Sequence, residues 1–360
     1  MRGTTQRLQA LTWSALATLA LLGSAGSRDV LWAQGNIVIA RQGNFYVAGE
    51  KIYAAVNDGV IGPDPFQNGF PPGHIFLNQA YVQYQIPAER KFRLPIILTH
   101  GGGHHGGYYE TTPDGREGWS THFLRKGFDV YVVDDVNRGR SGYDIQDIDA
   151  VRLGLEPASA IPRINKYAQE NAWTGFRIGP TFGVAYPGSQ FPLEAFDQYS
   201  NQLVPAYRAP IETVRNVAAF VALFDRIGGS VLVTWSQSGN FGWLTALQRP
   251  NLVKAIVALE GGVPNLSAPG NLDVYKKIPI LFVIGDHNPN GVAISETAAN
   301  TLKAAGGTAD VLSLPGAGIF GNSHVFVVEK NNLQIADLII KWLAKNVDDI
   351  GGGKDDGKDD

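Results

Sequence analysis

The chain has 360 residues, 44% of them hydrophobic, with 30 basic against 33 acidic side chains and a formal net charge of −3. That supplies ample material for a large core and gives no electrostatic case for a nucleic-acid partner. It has no cysteine, which excludes disulfides, thiol nucleophiles and cysteine-ligated metals without fixing a compartment.

At the N-terminus, Arg2 and Arg7 precede the apolar stretch Leu11–Leu22, which is too short to favour a stable membrane span. Small residues Gly23-Ser24-Ala25 follow, and Ala33-Gln34 offers a second cleavage point. This pattern reads as a secretory signal peptide over residues 1–33, cut between 25 and 34, leaving no membrane span in the mature form. An uncleaved anchor or an amphipathic helix is the competing reading.

Alternating polarity next predicts antiparallel strands at Asn36–Ala40, Asn44–Val47 and Ala80–Ile86. From residue 94 the pattern changes. Buried apolar runs near 94–99, 129–135, 231–235, 254–260 and 279–285 alternate with helical segments near 118–126, 211–227, 240–249, 293–305 and 331–346. A further strand is expected at Asp310–Leu314. This alternation predicts an α/β architecture, with a mostly parallel sheet covered by helices on both faces.

Three loops carry candidate chemistry. The first apolar run enters His100-Gly101-Gly102-Gly103-His104-His105, where glycines permit close backbone approach by a ligand. It has no Gly-Lys-Ser/Thr ending for phosphate, and neither cysteine nor a His-Glu-x-x-His helix supports zinc binding by its histidines. The second is Trp235-Ser236-Gln237-Ser238-Gly239, where a strand runs directly into a helix. That is the layout of a nucleophile elbow, with Ser236 at the turn and helix N–H groups behind it. Neither flanking position, Thr234 or Ser238, is the usual glycine. A shifted frame makes Ser238 the nucleophile, and simple helix capping by a serine is the bland alternative. The third is Gly321-Asn322-Ser323-His324, before the terminal helix. His324 and His287 are the histidines that follow the elbow. Two carboxylates, Glu260 and Asp286, end predicted strands; either is also suited to holding a loop by accepting backbone N–H groups.

Together with Asp134-Asp135-Val136-Asn137-Arg138-Gly139-Arg140-Ser141, these segments resemble the α/β-hydrolase superfamily. The Ser-Gln-Ser-Gly elbow, Gly-Asn-Ser-His loop and Glu110–Trp119 run are similar to a small group of bacterial serine esterases. The resemblance implies an α/β-hydrolase fold with antiparallel N-terminal strands, the Arg138 turn having a structural role. It also implies a catalytic order of serine, acid, histidine: Ser236 as nucleophile, Glu260 as acid and His324 as base. Oxyanion donors would be the N–H groups of Gln237 and of Gly102 or Gly103. The superfamily's commoner acid position falls on Asn288, which has no carboxylate, so Asp286 stands as the alternative acid.

Residues 34–142 and 211–347 would form the hydrolase core. The aromatic-rich stretch 143–210, with Trp173, Phe176, Phe182, Tyr186, Phe191, Phe196, Tyr199 and Tyr207, would be an inserted cap. Residues 348–360 read as a disordered acidic tail. The expected activity is hydrolysis of a small-molecule carboxylic ester by a secreted or periplasmic enzyme that needs no cofactor. Lactone or amide hydrolysis and acyl transfer use the same triad, and a non-catalytic binding protein on this scaffold is the reading from another class.

Overall fold

A computed structural model describes residues 35–54, 72–161, 163–207, 211–348 and 350–351. The expected signal peptide and the tail beyond Gly351 lie outside the described residues. Contacts divide the chain between Val38 and Ile39. Gly35 to Val38 carry neither helix nor strand, and the described helices and strands belong to the unit that starts at Ile39.

That unit is built on an eight-stranded sheet. Its strands are β1 (Ile39–Ala54), β2 (Gly73–Pro87), β3 (Ile96–Thr99), β4 (Val130–Asp134), β7 (Ser230–Trp235), β8 (Val253–Leu259), β9 (Ile280–Ile284) and β10 (Ala309–Ser313), in the order β1-β2-β4-β3-β7-β8-β9-β10. A two-stranded ribbon, β5 (Ile164–Asn165) with β6 (Ala206–Tyr207), stands apart. β1 pairs antiparallel with β2, and β2 with β4. The pairings from β4 through β3 to β10 are all parallel. The central strands are buried along nearly their whole length, which is why they read as continuous apolar runs.

The lead-in differs from its expected form. The expected strand Asn44–Val47 and the last two residues of the expected strand Asn36–Ala40 lie in one continuous strand that starts at Ile39, and Ala80–Ile86 is the latter half of a fifteen-residue partner. Gly43 marks a close approach rather than a turn: a Cβ there would lie 3.0 Å from the Tyr84 hydroxyl.

Nine helices of five residues or more are described: α1 (Trp119–Lys126), α2 (Gln146–Arg152), α3 (Gln169–Gly175), α4 (Phe196–Asn201), α5 (Ile211–Ile227), α6 (Ser238–Gln248), α7 (Asn271–Tyr275), α8 (Pro289–Ala304) and α9 (Asn332–Asn346). Phe220, Phe224, Phe241, Tyr275 and Leu302 from α5, α6, α7 and α8 join Ile97, Leu232, Ile256 and Phe282 in one core cluster. Side chains alternate across a sheet, so equally buried Ile96, Leu98, Val231 and Val233 face the other way. There α1 and α9 pack on each other, tied by Trp119 Nε1 donating to Asn332 O at 3.0 Å.

Topology gathers the chemistry at one edge. The chain steps from β3 outward to β4, then returns to β7 on the other side of β3. The C-terminal ends of β3, β7, β8 and β9 therefore open beside the point where the winding reverses, the usual place for a site in such sheets. At the far end of the chain, Arg93 N donates to Ile350 O at 3.0 Å and Phe92 pairs with Gly351. The folded chain thus continues past residue 348, where the tail was expected to begin.

Candidate active site

Ser236 follows β7 directly and adopts φ = 53°, the left-handed region that a non-glycine residue enters at a cost of order 1–3 kcal/mol. Close packing enforces the turn. A Cβ on Gly239 would sit 2.0 Å from Gly261 O, so glycine lets α6 close onto the end of β8. Ser238 stands where the usual motif has glycine, and the structure gives the reason. Its hydroxyl is fully buried, accepts from Trp235 N at 3.0 Å and lies 3.1 Å from Thr99 O, closing the base of the turn. Ser236 stays partly accessible.

The glycine loop lies against this elbow. A Cβ on Gly101 would fall 2.8 Å from the Ser236 Cβ and 2.7 Å from the Trp235 ring. Gly102 abuts the Gln237 side chain, and Gly103 has φ = 74° under the Tyr167 ring. Two of the loop's histidines support it. His100 Nε2 accepts from Asp135 N at 3.0 Å while its Nδ1 meets Gly101 O at 2.9 Å. His104 Nδ1 meets Gly102 O at 3.0 Å, and its Nε2 meets the Tyr199 hydroxyl at 2.9 Å. Burial pushes both imidazoles down to about 3, so they are neutral and both nitrogens of each ring are engaged. Arg138, expected to be structural, is buried: it pairs with Glu212, reaches Gln237 Oε1 at 3.2 Å and Gly101 O at 3.4 Å. It thereby joins the glycine loop to the elbow.

Glu260 leaves β8, next to the elbow strand, with φ = 46° and a side chain only 3% exposed. Its Oε2 lies 2.5 Å from His324 Nδ1, and its Oε1 accepts from Gly285 N at 2.9 Å. Burial opposes ionisation, but the charge and hydrogen bond of His324 and the guanidinium of Arg177 outweigh it, holding the carboxyl at about 2. His324 is fixed through its backbone. Its N–H donates to Phe176 O at 2.9 Å, and its carbonyl accepts from Trp235 Nε1 at 2.8 Å. That second bond ties the histidine to the residue before Ser236. The Phe176 ring stacks on the imidazole at 5.8 Å between centroids.

Asp286 has different partners. Its Oδ2 accepts from Gly321 N at 2.8 Å and its N–H donates to Asn322 O at 2.6 Å, so it braces the loop that carries His324. His287 is exposed and stacks on Tyr186 at 3.7 Å. Asn288, at the superfamily's commoner acid position, caps α8 by accepting from Gly291 N at 3.0 Å.

Sequence reasoning missed several supports of the site. Glu329 is fully buried; its carboxylate accepts from Ser323 N at 2.9 Å and Asn322 Nδ2 at 2.7 Å. A charged residue ending the apolar run Val325-Phe-Val-Val was the available signal. Arg116, within the Glu110–Trp119 run, donates to the carbonyls of Glu329 and Val328 at 2.9 and 3.0 Å. Arg177 and Tyr167 come from the aromatic segment, where no local motif marked them; Phe176 was expected there only as one of the cap's aromatics. Most of that segment's aromatics, including Trp173, Phe182, Phe191 and Phe196, pack on one another.

A catalytic-type serine turn, a glycine loop and a buried carboxylate–imidazole pair on this sheet define an α/β hydrolase. The chain belongs to the α/β-hydrolase superfamily. It is 30% identical over 329 residues to "Probable secreted lipase phiG" of Fungal sp. (strain ATCC 74256), spanning 74% of this chain and 85% of that one. Among solved structures it is similar to a novel bacterial esterase at 36% identity, with a TM-score of 0.78 over 87% of this chain and 98% of that one. No family model matches the chain. Among the described residues, no helix is long and apolar enough to cross a membrane.

Proposed function

We propose that this protein is an exported carboxylic ester hydrolase that works through a Ser236–His324–Glu260 triad and an acyl-enzyme. The observation that carries the reading is the Glu260–His324 pair, tied through Trp235 to the strained turn at Ser236. With Nδ1 committed to Glu260, Nε2 is the ring nitrogen left for proton transfer. Ser236 Oγ attacks the ester carbonyl carbon as its proton passes to Nε2, and Glu260 stabilises the imidazolium. The N–H groups of Gln237 and of Gly102 or Gly103 bind the oxyanion; one such donor is worth roughly 3 kcal/mol. Collapse expels the alcohol, which takes the proton from His324, and leaves the acyl group on Ser236. Water, deprotonated by His324, then attacks the acyl carbon; the bond to Ser236 Oγ breaks, His324 returns the proton to Oγ, and the acid is released.

Residues 143–210 act as a cap that excludes water and shapes the acyl or alcohol pocket. Its described contributions to the glycine loop include the Tyr167 ring against Gly103 and Val204 N, which donates to Gly103 O at 2.8 Å. Export rests on the signal-like N-terminus and on the relative's designation as a secreted lipase.

Fluorophosphonate labelling with mass mapping tests the nucleophile. The adduct should fall on Ser236, vanish in Ser236→Ala and persist in Ser238→Ala. An adduct on Ser238 would overturn the assignment.

A further inference from the structure

We propose that Arg177, delivered by the segment between β4 and α5, is a positioning residue that clamps Glu260 and sets the charge felt by the His324 imidazole. The inference rests on the triad reading above and adds a member from outside the hydrolase core.

Arg177 Nη2 lies 2.5 Å from both Glu260 oxygens, and Nε donates to Asp286 O at 3.3 Å. One guanidinium therefore spans the ends of β8 and β9. Its backbone is equally specific. Helix α3 ends in a Schellman arrangement, with Arg177 N donating to Thr174 O at 3.1 Å and Ile178 N to Trp173 O at 2.9 Å. The residue just past the cap in this motif takes left-handed geometry and is usually glycine. Here it is arginine, at φ = 58°. A β-carbon-bearing residue in that conformation is disfavoured relative to glycine, so the position keeps the side chain against local backbone preference. The preceding residue, Phe176, gives its carbonyl to His324 N and its ring to the imidazole. Consecutive residues thus hold the base and its carboxylate.

The electrostatic consequence has a definite sign. A carboxylate beside an imidazole favours the imidazolium, and a cation on the same carboxylate opposes it. Arg177 therefore offsets part of the stabilisation that Glu260 gives the imidazolium. The other titratable groups around the pair are His104 and Tyr108 in the oxyanion region, both buried and neutral, and the carboxylates of Asp286 and Glu329 around the histidine loop.

The test compares wild type, Arg177→Gly and Arg177→Lys in the full chain. Glycine suits the left-handed backbone, so the variant retains the α3 end while removing the charge. Two readouts are taken: the acidic limb of kcat/KM against pH, and the His324 Cε1–H titration by NMR, assigned with His324→Asn. In Arg177→Gly both should move up by about one pH unit, while plateau kcat falls about tenfold and KM changes little. Arg177→Lys keeps the charge but not the two-oxygen bridge, so the limb should stay near wild type with a smaller kcat loss. A His324 titration in folded Arg177→Gly that matches wild type would overturn the proposal. NMR needs no turnover, so this outcome is separable from failure of the esterase reading, which would appear as inactive wild type.

Discussion

Glu260 and Asp286 leave the ends of adjacent parallel strands, but Glu260 meets Nδ1 of His324 at 2.5 Å while Asp286 accepts from Gly321 N at 2.8 Å. One carboxylate orients the imidazole; the other holds its loop. Glu260→Gln should lower kcat by about 10³- to 10⁴-fold, because the amide no longer selects the productive tautomer. Asp286→Asn should cost about tenfold or less in kcat. Paired kinetics on folded variants decides between them, and a larger loss in Asp286→Asn would reverse the assignment.

Ser238 offers a second contrast. Its hydroxyl is buried against Trp235 N and Thr99, so Ser238→Ala leaves a backbone donor short of its partner. The expected cost is about 1–3 kcal/mol of stability, with Ser236, Glu260 and His324 left in place. Urea unfolding and ester turnover should show a weakened but active protein.

Gly101 is constrained by space rather than by φ. A methyl group there collides with Trp235 and the Ser236 Cβ. Gly101→Ala should push the oxyanion loop off the elbow and reduce kcat by about 10²-fold or more, the scale of one lost oxyanion donor. Unchanged kcat in Gly101→Ala would separate the loop from oxyanion binding.

Glu329 predicts a pH dependence of stability. Burial raises its carboxyl to about 7, and the bonds from Ser323 and Asn322 only partly offset that. The native state therefore holds this proton more tightly than the unfolded chain. Its contribution is full below the ordinary carboxylate range and is lost as pH rises toward about 7. Glu260, held low, acts in the opposite direction, losing its contribution as pH falls toward about 2, below that window. Stability measured by urea unfolding at about pH 5.5 and about pH 7.5 should fall in wild type and fall less in Glu329→Gln. An equal fall in both would remove Glu329 as the cause.

The parallel core was legible because its strands are buried on both faces and separated by amphipathic helices. The runs near 231–235 and 279–285 became Ser230–Trp235 and Ile280–Ile284. The β1–β2 hairpin was harder to read, because both faces of β1 are largely exposed and Phe76 on β2 lies 64% in solvent. Alternation there does not mark a buried face. Helix α8 begins at Pro289 rather than near 293, since Asn288 and Pro289 form an N-cap and first-turn pair. Ser236, Glu260 and His324 could be singled out as candidates because each follows a strand or a small-residue loop with motif spacing. Arg177 was not: its role depends on a left-handed helix end packing across more than eighty residues of sequence, which no local pattern encodes.

The central claim is tested most directly by hydrolysis of p-nitrophenyl acetate, butyrate and octanoate by the mature chain beside Ser236→Ala. Wild type should turn these esters over, and the rate should fall by about 10⁴-fold or more in the folded variant. Comparable turnover by Ser236→Ala, or no turnover by folded wild type on any of the three esters, would contradict it.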